Sequence, residues 1–366
     1  MTSNNAPVDG NNSLERIRAL RSKSPTNFSN RIVTVKAGYF GTATDLQLDQ
    51  EFDDMFDDFV QTVDAATARG VSSGHLGRQS EGDILLGVGE SGTRKTSTIR
   101  RAIFKRPEFE GYSDVPHENM SPLISIIAPS PCTLKQLGIA IATAMGYTPR
   151  PSIEENEVWT LVRKNLAVRG ARFIHIDEMQ HVTQNKNVAE IPKIQNTLKR
   201  LLQTPEWPVW LILSGLPEIA NMFEGDIQVW RRARFIKFRQ LDFQRDADLC
   251  HAMVRYFAGE KAALDLSTIV TDEFIHRLMH ASLYRLGIAI DFTIDAIHEA
   301  FRANSPALTV GHFARSFGRT GADDENNVFI VPGDFLSVDV SKFFTNGLNE
   351  EAAEAGSQVQ PVSRKR

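Results

Sequence analysis

The stretch GVGESGTRKTST at residues 87–98 decides how the rest of the chain is read. Gly89, four residues, then Arg94, Lys95 and Thr96 follow the spacing of a phosphate-cradling loop: glycine, four residues, glycine, lysine, then serine or threonine. In such a loop the backbone N–H groups turn inward to hold phosphate, and the helix that follows adds its dipole. Across Gly89, Glu90, Ser91, Gly92, Thr93, Arg94, Lys95, Thr96 and Ser97, Lys95 is the residue to neutralise the outer phosphates. The Thr96 hydroxyl is the expected ligand of a magnesium ion. One position departs from the pattern, because Arg94 stands where the second glycine is expected. A side chain held in glycine's backbone conformation costs about 1–2 kcal/mol, enough to weaken a site without abolishing it.

The surroundings of the loop are those such a site requires. Short apolar runs read as buried strands at 83–88, 123–128, 172–177, 209–214 and 234–238. Helical patterns separate them at 95–106, 133–146, 153–168 and 189–203. That alternation predicts an α/β domain with a parallel sheet covered on both faces. Upstream, Phe52, Met55, Phe56, Phe59 and Val60 recur at helical spacing in DLQLDQEFDDMFDDFV, an amphipathic helix with a solvated acidic face. After about residue 240 the strands stop and four helical patterns follow, the last beginning at Thr309.

Three further motifs supply chemistry in the order the loop needs. ARFIHIDEMQHV ends an apolar strand on Asp177 and Glu178. The aspartate is placed to support magnesium through water, and the glutamate to polarise an attacking water as general base. WPVWLILSGLPEI ends a strand at Ser214, where a polar side chain can contact a γ-phosphate. VWRRARFIKF carries Arg231, Arg232 and Arg234 before the last strand, where a guanidinium could reach a neighbouring subunit's γ-phosphate.

This ordered set is similar to the AAA+ ATPases of the initiator type. PSPCTLKQLGIAIATAMGY, IQNTLKRLLQTPEWPVWLILSGLPEI and LTVGHFARSFGRTGADDENNVF make residues 30–330 look like the TniB/TnsC family, the ATP-dependent regulators of Tn7- and Tn5053-like transposons. The resemblance implies an AAA+ P-loop domain with a five-stranded parallel sheet in the order 5-1-4-3-2, plus a small all-helical lid domain. It places Ser214 beside the phosphates as sensor 1 and makes Arg234 the arginine finger, with Arg231 and Arg232 as rivals. Arg285 in ASLYRLGIAI becomes the nearest sensor 2 arginine. The cofactors implied are ATP and Mg2+. The partners implied are duplex DNA bound without sequence preference, further copies of the chain in a ring or filament, a transposase and a target-selection protein. The family keeps glycine where Arg94 stands, which puts fast turnover in question.

Bulk properties agree with this class. The chain of 366 residues is 42% hydrophobic and 23% charged, and its net charge of -4 confines DNA contacts to local basic patches. Candidates are Arg100, Arg101, Lys105 and Arg106 after the loop, and Lys186, Lys193, Lys199 and Arg200 after the acidic pair. Only two cysteines occur, Cys132 and Cys250, far apart in sequence and with no partner at metal-ligand spacing, so a disulfide framework or zinc ribbon is not expected and they read as free thiols. HRLMH pairs His276 with His280 but lacks a metalloprotease glutamate, so these histidines, like His175 and His181, read as structural. No apolar run approaches a membrane span and the first residues are polar, so a cytoplasmic, DNA-associated bacterial protein is expected.

The expected boundaries are a flexible segment over 1–30, a helical extension over 31–75, and the nucleotide-binding domain over 76–240. A lid follows over 241–320, then a tail over 321–366 with a disordered end. Two other functions compete: a nucleotide-binding scaffold with little hydrolysis, and a replication initiator or helicase loader, which the short stretch after residue 320 makes the weaker.

Overall fold

Along β1, Ile84, Leu86 and Val88 enter one apolar core while Leu85 enters another, the period-two alternation that lets a sheet be covered on both sides. The computed structural model describes residues 15–17, 28–69, 81–116, 118–184, 187–204, 207–223 and 230–344. Of the expected flexible segment over 1–30, residues 1–14 and 18–27 lie outside them, as do the stretch 350–366 and Lys186.

In chain order the elements used below are helices α1 (Phe28–Lys36) and α2 (Ala43–Arg69), then strand β1 (Ile84–Gly89) and helix α3 (Lys95–Lys105). Strand β2 (Leu123–Ile127) leads to helices α4 (Leu134–Ala144) and α5 (Glu155–Val168). Strand β3 (Phe173–Asp177) is followed by a short helix α6 (Gln180–Thr183) and by α7 (Glu190–Leu202). Strands β4 (Trp210–Gly215) and β5 (Ala233–Phe238) complete the sheet, and helices α8 (Phe243–Val254), α9 (Asp272–Ala281), α10 (Leu286–Arg302) and α11 (Val310–Gly318) follow.

The sheet is parallel throughout, in the order β2-β3-β4-β1-β5. This is the predicted 5-1-4-3-2 order, with β4 between β1 and β3. On one face α4, α5 and α7 bury Leu137, Ile141, Val162, Leu166, Ile194 and Leu198 against Ile84, Ile124, Ile174 and Leu211. On the other, α2 and α3 bury Leu48, Phe52, Met55, Ile99 and Ile103 against Leu85, Phe173, Trp210 and Ile212. Burying each such side chain contributes about 1.5–3 kcal/mol, so α2 is an integral layer of the sheet unit.

The acidic side of α2 differs from its expectation. Instead of facing water alone, Asp49 pairs with Lys105 at 2.5 Å, and Asp53 pairs with Arg106. Glu51 and Asp54 lie 3.6 and 3.5 Å from Arg234, which also meets Asp58. The helix carries acids at the spacing of the neighbouring bases, a complementarity only the packing reveals.

Two compact units result. The first is Gly41–Asp242 with Tyr284–Ile288; the second joins Phe243–Leu283 and Ala289–Arg366 with Met1–Phe40. Within the second, the Arg31 guanidinium donates to the Ala262 carbonyl at 2.9 Å and lies 4.1 Å from the Phe301 ring centre. Thr309 caps α11 in a reciprocal pairing with His312. Val328, Phe329 and Val340 are buried, so the stretch after residue 320 contributes to the core of this unit. His276 stacks on Phe243 at 4.0 Å and His280 Nε2 donates to the Val338 carbonyl, both structural contacts. Both cysteines are buried thiols that form no disulfide, and burial pushes each thiol up to about 12. Among the described residues no helix is long and apolar enough to cross a membrane.

Candidate nucleotide site

The loop after β1 is shaped by contacts that leave little choice of residue. A Cβ on Gly89 would stand 2.3 Å from the Phe238 carbonyl oxygen of the adjacent strand, so only glycine lets β1 and β5 pair at this point. Gly92 has φ +79, and a Cβ there would come within 2.8 Å of Ile288. Arg94 has φ 73 and ψ 17, the left-handed region, and its carbonyl accepts the first helical bond of α3, from Thr98 N–H at 3.0 Å. The glycine-like conformation inferred from the loop pattern is therefore the one the arginine adopts.

Replacing Arg94 by glycine relieves about 1–2 kcal/mol of backbone strain but adds about 0.5–1 kcal/mol of unfolded-state entropy. Arg94→Gly is accordingly expected to raise the thermal unfolding midpoint by about 2 °C. A midpoint that stays level or falls would show that the arginine side chain compensates for the strain.

Lys95 is 7% exposed, and its Nζ donates to the Gly89 and Glu90 carbonyls at 2.6 and 2.8 Å. Burial lowers its pKa, with Arg285 acting the same way, while Glu178, Asp177 and Glu90 oppose the shift. Thr93 Oγ1 donates to the Glu90 carbonyl at 2.7 Å and Ser97 Oγ to that of Arg94 at 3.1 Å, closing the loop on itself. Ser91 stands exposed at the loop's tip.

Parallel pairing of β1, β4 and β3 brings the other motifs to the same end of the sheet. The Thr96 hydroxyl donates to Asp177 Oδ2 at 2.7 Å across 81 positions of sequence. Ser214, fully buried, donates to Asp177 Oδ1 at 2.5 Å, and the Glu178 N–H donates to the same oxygen at 2.9 Å. Glu178 takes φ 57, a second left-handed non-glycine residue, and is half-buried beside the loop. Strained backbone of this kind, about 1–3 kcal/mol each, persists where the surrounding structure over-determines it.

Tyr284–Ile288 belongs to this same unit. Gly287 N–H donates to the Gly92 carbonyl at 2.9 Å, and Arg285 reaches Glu90 at 3.7 Å. The buried Arg285 Nε has no hydrogen-bond partner, an arrangement that costs free energy until an acceptor arrives. That orphaned donor, a cradle closed to any Cβ at Gly92, a buried ammonium, and hard oxygen donors on Thr96 and Asp177 together suit a nucleoside triphosphate with magnesium.

Two further residues pack against this cluster. His175, read as structural, is 1% exposed and joins the Ser125 hydroxyl at Nδ1, 2.8 Å away, with Nε2 3.5 Å from Ser214 Oγ. Burial pushes its pKa down to about 4 against the pull of Asp177, so the ring is neutral at pH 7. Gln180, two residues after Glu178, contacts it through its side chain. Strand alternation in FIHID carries the signal for His175, whereas the left-handed turn that brings Gln180 back leaves none.

The three arginines before β5 are separated by their partners. Arg234 is held by Glu51, Asp54, Asp58 and Asp83, and Arg232 pairs with Glu81. Arg231 is exposed. Arg234 pairs in register with Leu85 and Phe238 with Gly89, so all three lie toward the end of the sheet away from the loop. Of the candidate DNA contacts, Arg100 pairs with Asp114, Lys105 with Asp49, and Lys193 with Glu190. Arg106 is bound to the α2 acids, Arg101 and Arg200 are exposed, and Lys199 is half-buried.

In its fold and in the loop after β1, this unit is similar to an AAA+ P-loop domain. Residues 78–223 match the sequence profile described as an AAA domain. Drosophila ORC bound to DNA is similar in structure, with a TM-score of 0.50 at 11% identity, over 97% of this chain and 77% of that one. Cdc6p from Pyrobaculum aerophilum gives 0.49 at 12% identity, over 82% and 72% of the two chains. The Aeropyrum pernix ORC1 protein in complex with DNA gives 0.45 at 19%, over 68% and 62%. No curated protein matches the chain.

Proposed function

We propose that this chain is an ATP-dependent regulator of transposition that assembles with copies of itself on duplex DNA and directs a transposase to the target site. The observation that carries the ATPase part is the convergence of Lys95, Thr96, Asp177, Glu178 and Ser214 at one end of the sheet. When bound, ATP with magnesium supplies the phosphoanhydride bond and the charge that neutralises its oxygens. Lys95 and Arg285 would bind the phosphates, Thr96 directly and Asp177 through water would hold the metal, Ser214 would contact the outer phosphate, and Glu178 would take a proton from water.

Self-assembly is supported by the arginines. The six residues of β1 separate the loop from the start of β5 by about 16–20 Å, beyond the reach of an arginine side chain. Arg232 and Arg234 are held by carboxylates within the chain, so Arg231 is the finger proposed here, acting on a neighbouring copy. The transposition role is supported by the TniB/TnsC-like segments that flank the site. DNA contacts are proposed for Arg100, Arg101, Lys105, Lys193, Lys199 and Arg200; the partly exposed ion pairs of Arg100 with Asp114 and Lys105 with Asp49, worth about 0–1 kcal/mol, can be exchanged for phosphate.

A second reading, a scaffold that binds nucleotide without turnover, is favoured by the left-handed backbone of Arg94. Steady-state ATP hydrolysis with and without duplex DNA separates the two. Turnover stimulated several-fold by DNA, and lost again at high salt, is the expected result. ATP binding with no turnover in either condition would establish the scaffold.

A further inference from the structure

Glu178 does not hold its carboxylate alone. Gln180, two residues on, donates from Nε2 to Glu178 Oε2, while its Oε1 accepts from the Leu216 N–H at 3.3 Å. The two bonds fix the amide's orientation, since a flip would set oxygen against carboxylate and NH2 against N–H. The backbone reinforces the bridge, because Met179 N–H donates to the Ser214 carbonyl at 2.9 Å. There is no slack at the junction: a Cβ on Gly215 would stand 2.6 Å from Gln180 Oε1 and 3.2 Å from its N.

We infer that Gln180 is a positioning residue that fixes the Glu178 carboxylate and ties it to the Ser214–Leu216 turn, so that the group facing the outer phosphate and the group facing the attacking water move together. The inference rests on the nucleotide-site reading above. Its physical basis is that a general base acts from a narrow range of positions, and a carboxylate on a left-handed turn has no helix or strand to orient it. One oxygen of Glu178 is taken by the amide, which leaves the other for water.

The test compares Gln180→Met, similar in length but unable to make either bond, with Gly215→Ala, whose methyl displaces the amide. Two readouts are needed: hydrogen exchange of the Leu216 amide in the nucleotide-free protein, and kcat against KM for ATP. Expected for Gln180→Met are about tenfold faster exchange at Leu216 and a kcat lowered about tenfold or more, with KM within about twofold. Gly215→Ala should do the same and add nothing once Gln180 is methionine. Equal exchange at Leu216, or a kcat within twofold of wild type, overturns the assignment. A wild type that binds ATP without turnover sinks the hydrolytic reading instead, and exchange at Leu216 then judges the bridge by itself.

Discussion

Lys95→Ala is expected to lose ATP-dependent assembly on duplex DNA, with ATP affinity falling about 100-fold or more. Lys95 is the buried cation of the loop, and its ammonium bridges the Gly89 and Glu90 carbonyls while Asp177, Glu178 and Glu90 hold its charge against desolvation. Charge-assisted hydrogen bonds are worth about 1.5–3 kcal/mol each, and the loss of two or three to phosphate oxygens corresponds to at least that factor. The fold should survive, because removing a desolvated charge leaves only two carbonyls at the loop to be hydrated. Nucleotide titration calorimetry and electron microscopy with ATP and DNA are the measurements. Filaments or rings of unchanged abundance in the variant would mean that assembly does not run through this site.

Glu178→Gln is the complementary case, with binding kept and chemistry lost. The amide preserves volume and backbone but cannot take a proton, and general-base contributions are about 10²–10⁴ in rate. A kcat lower by that factor, with ATP affinity within about threefold, is the expected outcome. The ATP-bound assembly should then persist on DNA far longer than in wild type, since turnover no longer ends it. Both are read from steady-state hydrolysis and from the lifetime of the DNA complex. A kcat reduced less than about fivefold would remove Glu178 from the general-base role and leave Asp177 as the remaining candidate in the motif.

The two variants also bear on Arg94. If Arg94 costs the site only its backbone strain, wild type binds ATP tightly and Glu178→Gln has a rate to lose. If the arginine instead holds the loop in a form that cannot turn over, Glu178→Gln changes nothing and Lys95→Ala still abolishes binding. The pair of results therefore separates an ATPase from a nucleotide-stabilised scaffold without any change at position 94.

Much of this was legible along the chain because it is local. Strand length, the 2.0 and 3.6 periodicities and the glycine spacing are set by neighbours within a few residues. The five strands and the helices between them accordingly fall within one or two residues of their predicted limits. Thr309 announces its helix by the same short-range chemistry. Even the left-handed backbone at Arg94 follows from a pattern in which glycine normally fills the position.

What tertiary structure decided is every pairing between distant segments. The sequence supplies a row of acids on α2 and bases on α3 and β5, but only packing turns them into the ion pairs that occupy Arg234, Lys105 and Arg106. That choice leaves Arg231 as the exposed arginine, an outcome the run VWRRARF cannot express because three adjacent guanidinium groups are chemically alike. The Ser125–His175–Ser214 cluster arises from the registers of β2, β3 and β4, and the Gln180 bridge from a left-handed turn at Glu178 closing on a glycine of the next strand. The sequence by itself determined the elements and the residue types the chemistry requires. Which charges remain available, and which side chain steadies the base, depended on distances between residues far apart in the chain, and those distances exist only once the sheet has assembled.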